Sequence, residues 1–364
     1  MKIETTALGL LKAPLRMPFK TALRTVNELE EITLQLTDHD GFVGWGSVVP
    51  TPAITGEGEE RIRADLREIL GWLRRTRIDE ISRWKEILPN AIVYSRSSLC
   101  AVDIALHDLA AKRNALPLWK FLGSEKSRIL QTNMTISVDE PYVMANHALN
   151  AVKKGFKSLK IKVGLDAELD KKRVRCIRQV IGKGISLRLD ANQGWTEAES
   201  RKLIPWFAQE CGPIDFIEQP VQANDLSAMQ KITQSSPVPI VADESAMTLE
   251  QAKRVIEVGA AHALSVKLIK AGGLSDARAI LDLARKNEIP CLMSCMFECG
   301  AGLHAAVHLA SVHPAVRWVD LDAAEFLLKL PYVGGVQFGG ATIECGHGNG
   351  LEIDLTSTLF DAWN

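Results

Sequence analysis

The sequence predicts an α/β fold in which an eight-stranded (β/α)8 barrel follows an α+β module. Three observations point there. From about residue 129 onward, eight short apolar runs each end in polar residues, and each is followed by a helical stretch. One polar or functional residue near the end of each run (Thr135, Lys162, Asp190, Glu218, Asp243, Lys267, Cys295 and Asp320) follows the last by 24 to 28 residues, the length of one strand-loop-helix-loop unit. Finally, 364 residues exceed one ordinary domain, whereas a barrel of about 250 leaves room for a second module.

The elements follow in order. Residues 31–38 read EITLQLTD and residues 42–49 read FVGWGSVV, with His39-Asp40-Gly41 between them, which predicts a hairpin. Helical stretches are expected at 58–75, 78–88 and 96–114, the last stopped by Ala115-Leu116-Pro117. The eight barrel runs are QTNMTISV, SLKIKVG, SLRLDAN, DFIEQP, PIVADES, ALSVKLIK, PCLMSCMFE and RWVDLDA. After them, YVGGVQFGG and GHGNGLEID are glycine-rich and strand-like, and we expect them to return to the first module. The division we expect is 1–125 for that module, 126–328 for the barrel and 329–364 for the returning segment.

Composition narrows the function. Lys and Arg total 43 against 44 Asp and Glu, so a net charge of -1 offers no field for nucleic acid or an anionic membrane. The N-terminal stretch is too interrupted for a signal peptide and no run of about 18 apolar residues occurs, so a cytoplasmic protein acting on a small molecule is expected. The seven cysteines form no CxxC pair and read as reduced thiols; Cys291, Cys295 and Cys299 read as small residues of a strand and its loop. His304 and His308, inside the apolar run LHAAVHLA, read as a packed helix face rather than metal ligands. Oligomeric state stays open, a homo-oligomer being one option.

The chemistry lies at the strand ends, which a barrel gathers onto one face. Asp190, Glu218 and Asp243 end three consecutive strands, and three carboxylates facing one cavity repel unless a cation sits among them. Hard oxygen ligands without Cys or His point to Mg2+, one ion per chain. In SLKIKVG, Lys160 and Lys162 alternate with Ile161 and so share the inward face. Lys267 ends a strand beyond the carboxylates, which places lysines on both flanks of the ion. A lysine whose pKa is brought down to roughly 7–8 by neighbouring cations and burial can take a proton α to a carboxylate. The metal and an ammonium group then stabilise the charge that develops.

The set Lys160-Ile161-Lys162, Asp190-Ala191-Asn192, Glu218-Gln219-Pro220, Asp243-Glu244-Ser245 and Lys267, with AVDIALHDLAAKRNALPLWKFLG ahead of the barrel, resembles the muconate-lactonizing-enzyme branch of the enolase superfamily over essentially the whole chain. The resemblance implies a modified, TIM-like (β/α)7β barrel with an α+β capping domain. It implies Lys162 and Lys267 as opposed acid/base groups, Lys160 beside the developing oxyanion, and Mg2+ on Asp190, Glu218 and Asp243. Asp320-Leu321-Asp322 resembles the Asp-x-Asp pair with which dipeptide epimerases hold a free α-ammonium. Pro18 to Val26 and Ile54-Thr55-Gly56 resemble the L-Ala-D/L-Glu epimerase subgroup, where the arginine matching Arg24 pairs with the glutamyl carboxylate. Thr135, Cys295 and Phe297 complete the expected substrate-binding set.

Two departures stand out. The family's Gly-x-Gly-Glu reads Gly44-Trp45-Gly46-Ser47 here, and its Ser-Met-Ile-Glu reads Cys295-Met296-Phe297-Glu298. The leading expectation is epimerisation of a dipeptide. The alternatives are a carboxylate lyase or cycloisomerase, an N-acylamino acid racemase, and a non-catalytic binding protein on the same fold.

Overall fold

We describe residues 1–20, 25–89 and 93–355 of a computed structural model. The cap opens with three antiparallel strands in the order β1 (Ile3–Lys20), β2 (Thr25–Asp38) and β3 (Val43–Val48). The hairpin between β2 and β3 is closed by Asp38, whose Oδ1 accepts from the N–H groups of Asp40 and Phe42, and by Gly41 at φ 83°. β1 was not expected as a strand. It carries Pro14 and Pro18, which an edge strand tolerates, and its register with β2 shifts between Pro14 and Phe19.

The cap helices are Glu59–Leu73 and Arg96–Arg113, as expected. Between them Ile81–Ile87 forms a 3-10 helix rather than an α-helix. Its buried Trp84 donates Nε1–H to Asp103 at 2.8 Å, and the neighbouring Lys85 donates to the Gly272 carbonyl at 2.7 Å and to Asp276, so tertiary anchors hold the turn. Gly44 and Gly46 explain how closely helix Arg96–Arg113 lies on β3. A Cβ there would stand 2.3 Å from the Ala105 carbonyl and 1.9 Å from that of Ala101. Trp45 and Ser47 alternate with them and face the other way.

The barrel strands, after the short β4 (Leu130–Gln131), are β5 (Met134–Ile136), β6 (Ser158–Lys162), β7 (Ser186–Asp190), β8 (Ile214–Glu218), β9 (Ile240–Ala242), β10 (Ala263–Val266), β11 (Cys291–Ser294) and β12 (Val316–Asp320). They pair in parallel in chain order, and a bridge from Thr132 to Val319 brings the ring round to β12. Each of β5 to β11 leads into a helix, but β12 is followed by the single turn Ala323–Phe326, which gives the (β/α)7β form. Register is what makes the site: Lys162 stands beside Asp190, Asp190 beside Glu218, and Ser294 beside Asp320. Lower in the barrel, Phe216, Val241, Ala263 and Leu292 pack as a plug with Trp318.

Beyond residue 331, β13 (Tyr332–Gly334) pairs with β16 (Ile353–Leu355), while β14 (Gln337–Gly339) pairs with β15 (Thr342–Glu344) and through it with β4. This segment meets the cap directly: Leu118 N–H donates to Gly350 O and Gly350 N–H to Leu116 O, both at 2.8 Å, and Leu351 N–H to the buried Asp108. Among the described residues no helix is long and apolar enough to cross a membrane.

Candidate active site

Period-two alternation turns Asn133 and Thr135, Lys160 and Lys162, Arg188 and Asp190, and Trp318 and Asp320 inward along their strands. At the C-terminal mouth the last member of each pair meets the others. Lys160 Nζ lies 3.0 Å from Asp190, 2.7 Å from Glu218 and 2.8 Å from Asp320. Lys162 Nζ lies 2.6 Å from Asp190 and 3.2 Å from Asn192 Oδ1. Across the mouth, Lys267 Nζ is 2.7 Å from Asp243. Lys270, fully buried, holds the same carboxylate and donates to the backbone carbonyls of Asp243 at 2.9 Å and Ser265 at 3.2 Å.

A small cavity of about 60 Å³ opens among Thr135, Lys160, Lys162, Asn192, Lys267, Cys295, Phe297, Asp320 and Asp322. Phe19 and Ile54 of the cap and Met296 complete its lining. The structure therefore brings together every expected lysine, the Asp320-Asp322 pair, Thr135, Cys295 and Phe297, with Asp190, Glu218 and Asp243 bonded to the lysines. Arg24 lies outside the described residues. One wall is aromatic: Phe19 stacks on Phe297 at 4.5 Å, and Phe326 meets both edge-on at 5.2 and 5.3 Å. Phe297 sits at φ 77°, a left-handed backbone that a phenylalanine adopts only where its surroundings hold it.

The two aspartates of β12 differ in how fully they are engaged. Asp320 Oδ1 accepts from Asn133 at 2.7 Å and Thr135 Oγ1 at 3.5 Å, and its Oδ2 from Lys160 and Ser294 at 2.8 Å each. Asp322 accepts from Thr135 N–H at 2.5 Å. Asn133 is in turn fixed by Arg188, whose Nη1 donates to its Oδ1 at 2.6 Å.

Electrostatics follow from these contacts. Burial pushes Glu218 up, with Asp190 and Asp243 adding to it, to about 7. Burial raises Asp190 and Asp243 too, but the ammonium groups beside them outweigh it and hold both below the usual carboxylate range. Asp322 is raised to about 7 by burial and by Asp320, and Glu244 to about 7 by burial, Asp243 and Asp190. Burial lowers Lys160 and Lys267, yet their carboxylate partners win and hold both above the usual lysine range. At these two lysines the carboxylates are nearer than the other ammoniums.

The donor set suits a divalent ion. Neither Glu218 oxygen has a hydrogen-bond partner among the described residues, its one close contact being the Lys160 ammonium; Glu244 Oε2 is also without a partner. Six buried carboxylates (Asp190, Glu218, Asp243, Glu244, Asp320 and Asp322) lie among four buried lysines (Lys160, Lys162, Lys267 and Lys270). A hard divalent cation matches the all-oxygen donors. The three strand-end carboxylates are spread toward their lysines rather than drawn to one point. The tight acidic group among the described residues is Asp38, His39 and Asp40 on the exposed cap turn, where Arg113 already pairs with both aspartates.

Several of these residues lay outside the expected set. Asn133 was within reach, because it alternates with Thr135 on one strand. Lys270 was not: one helical turn past Lys267 it reads as a surface lysine, and only the fold buries it. His304 and His308 are packed as expected, His304 with Nδ1 on the Gly300 carbonyl and His308 with Nδ1 accepting from Trp119 N–H.

Residues 4–123 match the model of the mandelate racemase/muconate lactonizing enzyme N-terminal domain, and residues 143–357 that of the enolase C-terminal domain-like family. The chain belongs to the enolase superfamily, in its mandelate racemase/muconate lactonizing branch. Within this branch it is 37% identical to an L-Ala-D/L-Glu epimerase of Clostridium acetobutylicum over 97% of this chain and 99% of the relative. The crystal structure of a substrate-liganded complex of the L-Ala-D/L-Glu epimerase from Bacillus subtilis superposes with a TM-score of 0.94 at 35% identity, covering 97% of this chain and 99% of that one. That of a dipeptide epimerase from Enterococcus faecalis, complexed with Mg and L-Leu-L-Tyr, superposes at 0.93 and 33% identity, covering 97% and 100%.

Proposed function

We propose that this branch member is a dipeptide epimerase that inverts the α-carbon of the C-terminal residue by 1,1-proton transfer between Lys162 and Lys267, with L-Ala-D/L-Glu its preferred substrate. The observation that carries the reading is that β6 and β10 stand four places apart in an eight-stranded ring, so their lysines face each other across one cavity. One lysine, neutral, takes the α-proton from one side; the other, as ammonium, returns a proton from the opposite side. Lys160 keeps an ammonium next to the carbon's developing charge. Asp190, Glu218 and Asp243 would hold one Mg2+ per chain. When bound, the ion supplies positive charge toward the substrate carboxylate and so offsets the charge left as the proton departs.

The aspartates divide the work. Four donors already engage Asp320, which makes it the group that positions Lys160; the less engaged Asp322 receives the dipeptide's α-ammonium. Preference for a small first residue draws on the narrow cavity and its aromatic wall, and preference for a glutamyl second residue on Arg24. That wall also favours a second reading, dipeptides with apolar side chains.

The test is α-deuterium uptake in D2O over a library of L-Ala-Xaa and Xaa-L-Glu dipeptides. Fastest exchange with an acidic second residue is expected, and indifference to that residue would remove the Arg24 argument. Asp322→Asn should raise KM about tenfold or more with kcat little changed, since one charge-assisted contact is lost. A fall in kcat alone would reverse the division between the two aspartates.

A further inference from the structure

The cap grips the barrel mouth through one buried carboxylate that the catalytic scheme does not use. Glu31, on β2, is fully buried. Its Oε2 accepts from the N–H groups of Cys299 and Gly300 at 2.9 Å each and from the Cys299 thiol at 3.0 Å. Those donors lead into the helix Ala301–Val312 and come directly after Cys295-Met296-Phe297-Glu298, whose first three residues line the cavity. Ser47, on the neighbouring strand β3, accepts from Gly302 N–H at 2.9 Å. A Cβ added to Gly300 would come 3.1 Å from Glu31 Oε1 and 3.2 Å from Ser47 Oγ, so carboxylate and hydroxyl border the same small space. Glu31 Oε1 has no hydrogen-bond partner among the described residues.

We propose that Glu31 is the positioning residue of the loop after β11, and that Glu31 and Ser47 are an exchanged pair. The carboxylate expected at the end of Gly-x-Gly-Glu on β3 is supplied here from β2, and the serine fills the place it left. The physical reason is that the space takes one carboxylate. With none, two buried N–H groups at the helix start lose their acceptor; with two, like charges meet beside Glu298, a buried carboxylate that already feels Glu31. One carboxylate at a helix N-terminus is also on the favourable end of its dipole. Glu31 thereby fixes where Cys299 and Gly300 begin the helix, and with them the left-handed turn at Phe297. Met296 N–H, held by Glu298 at 2.5 Å, closes the segment from its other side.

The prediction rests on the epimerase reading only for its kinetic readout. In the full chain with Mg2+ supplied, Glu31→Ser and Ser47→Glu should each lower kcat/KM for L-Ala-Glu epimerisation about tenfold or more, through KM as the pocket wall shifts, and each should lower the thermal midpoint. The double variant Glu31→Ser/Ser47→Glu should return both to within about threefold and a few degrees of the starting chain, respectively. A double variant no better than the poorer single overturns the exchange. Should Glu31→Ser fail to fold alone, a folded double variant supports the exchange and an unfolded one overturns it. If the unaltered chain turns over no dipeptide, the epimerase reading fails by itself, and recovery of the thermal midpoint still decides the pair.

Discussion

On the β6 flank, Lys162 shares Asp190 with a second ammonium, Lys160, two residues earlier on the same strand; on the β10 flank, Lys267 shares Asp243 with Lys270, three residues later on a single helical turn. The same device is built with two backbone periods. A strand returns a side chain to one face every second residue, and a helical turn does so after three or four. The flanks differ in what the supporting lysine reaches. Lys160 touches Asp190, Glu218 and Asp320, so it ties its base to the floor and to the β12 aspartates; Lys270 reaches Asp243 and backbone carbonyls alone. Accordingly burial wins at Lys270, which is held below the usual lysine range, while carboxylates win at Lys160. Two supports that look alike in sequence therefore do different work.

The largest expected effect tests whether the flanks are the two bases. Lys162→Ala and Lys267→Ala should each lower epimerisation by about 10³-fold or more, while each retains α-deuterium exchange with the one epimer that its remaining lysine serves. NMR in D2O reads both quantities. Loss of exchange with both epimers in either variant would mean that the flanks do not act independently.

Next comes the proposed ion, which both flanks would share. Treatment with a chelator should abolish exchange of both epimers alike, and Mg2+ should restore both. Loss confined to one epimer would place the ion on one flank only.

The supporting lysines then separate the flanks. Lys160→Met should lower kcat by about 10²-fold or more, since it removes an ammonium facing the developing charge. Lys270→Met should lower kcat by about tenfold and lower the thermal midpoint as well, because it leaves Asp243 short of a partner in a buried site. Equal losses in kcat would erase the difference between the two supporting lysines.

The smallest expected effect concerns Asn192, the neutral partner of Lys162 at 3.2 Å. Asn192→Ala should cost about threefold in kcat/KM, in line with one hydrogen bond to a charged group at the cavity wall. A loss as large as that of Lys160→Met would show that orientation, not charge, limits the β6 flank.

Much of the barrel was legible because its signals are local. An apolar run, a polar end and a helix of fixed length repeat every 24 to 28 residues, and period two fixes which strand residues face in. Asp190, Glu218 and Asp243 were readable for the same reason: each ends its own run. The cap was read less well. β1 carries two prolines and no clean alternation, and it is a strand because β2 offers it an antiparallel partner. Ile81–Ile87 shows a helical pattern, but it forms a 3-10 helix held by the tertiary bonds of Trp84 and Lys85.

Lys162 and Lys267, the three carboxylates and Asp320-Asp322 were thus determined by the sequence itself, since strand period and repeat length decide where they stand. The tertiary structure alone decided that Lys270 is buried against Asp243, that Asp320 is engaged by four donors and Asp322 by fewer, that Phe19 and Phe326 wall the cavity with Phe297, and that Glu31 holds the β11 loop. These contacts join elements separated by long stretches of chain. No local period encodes such a pairing, because the partner's position exists only once the barrel has closed and the cap has packed on it.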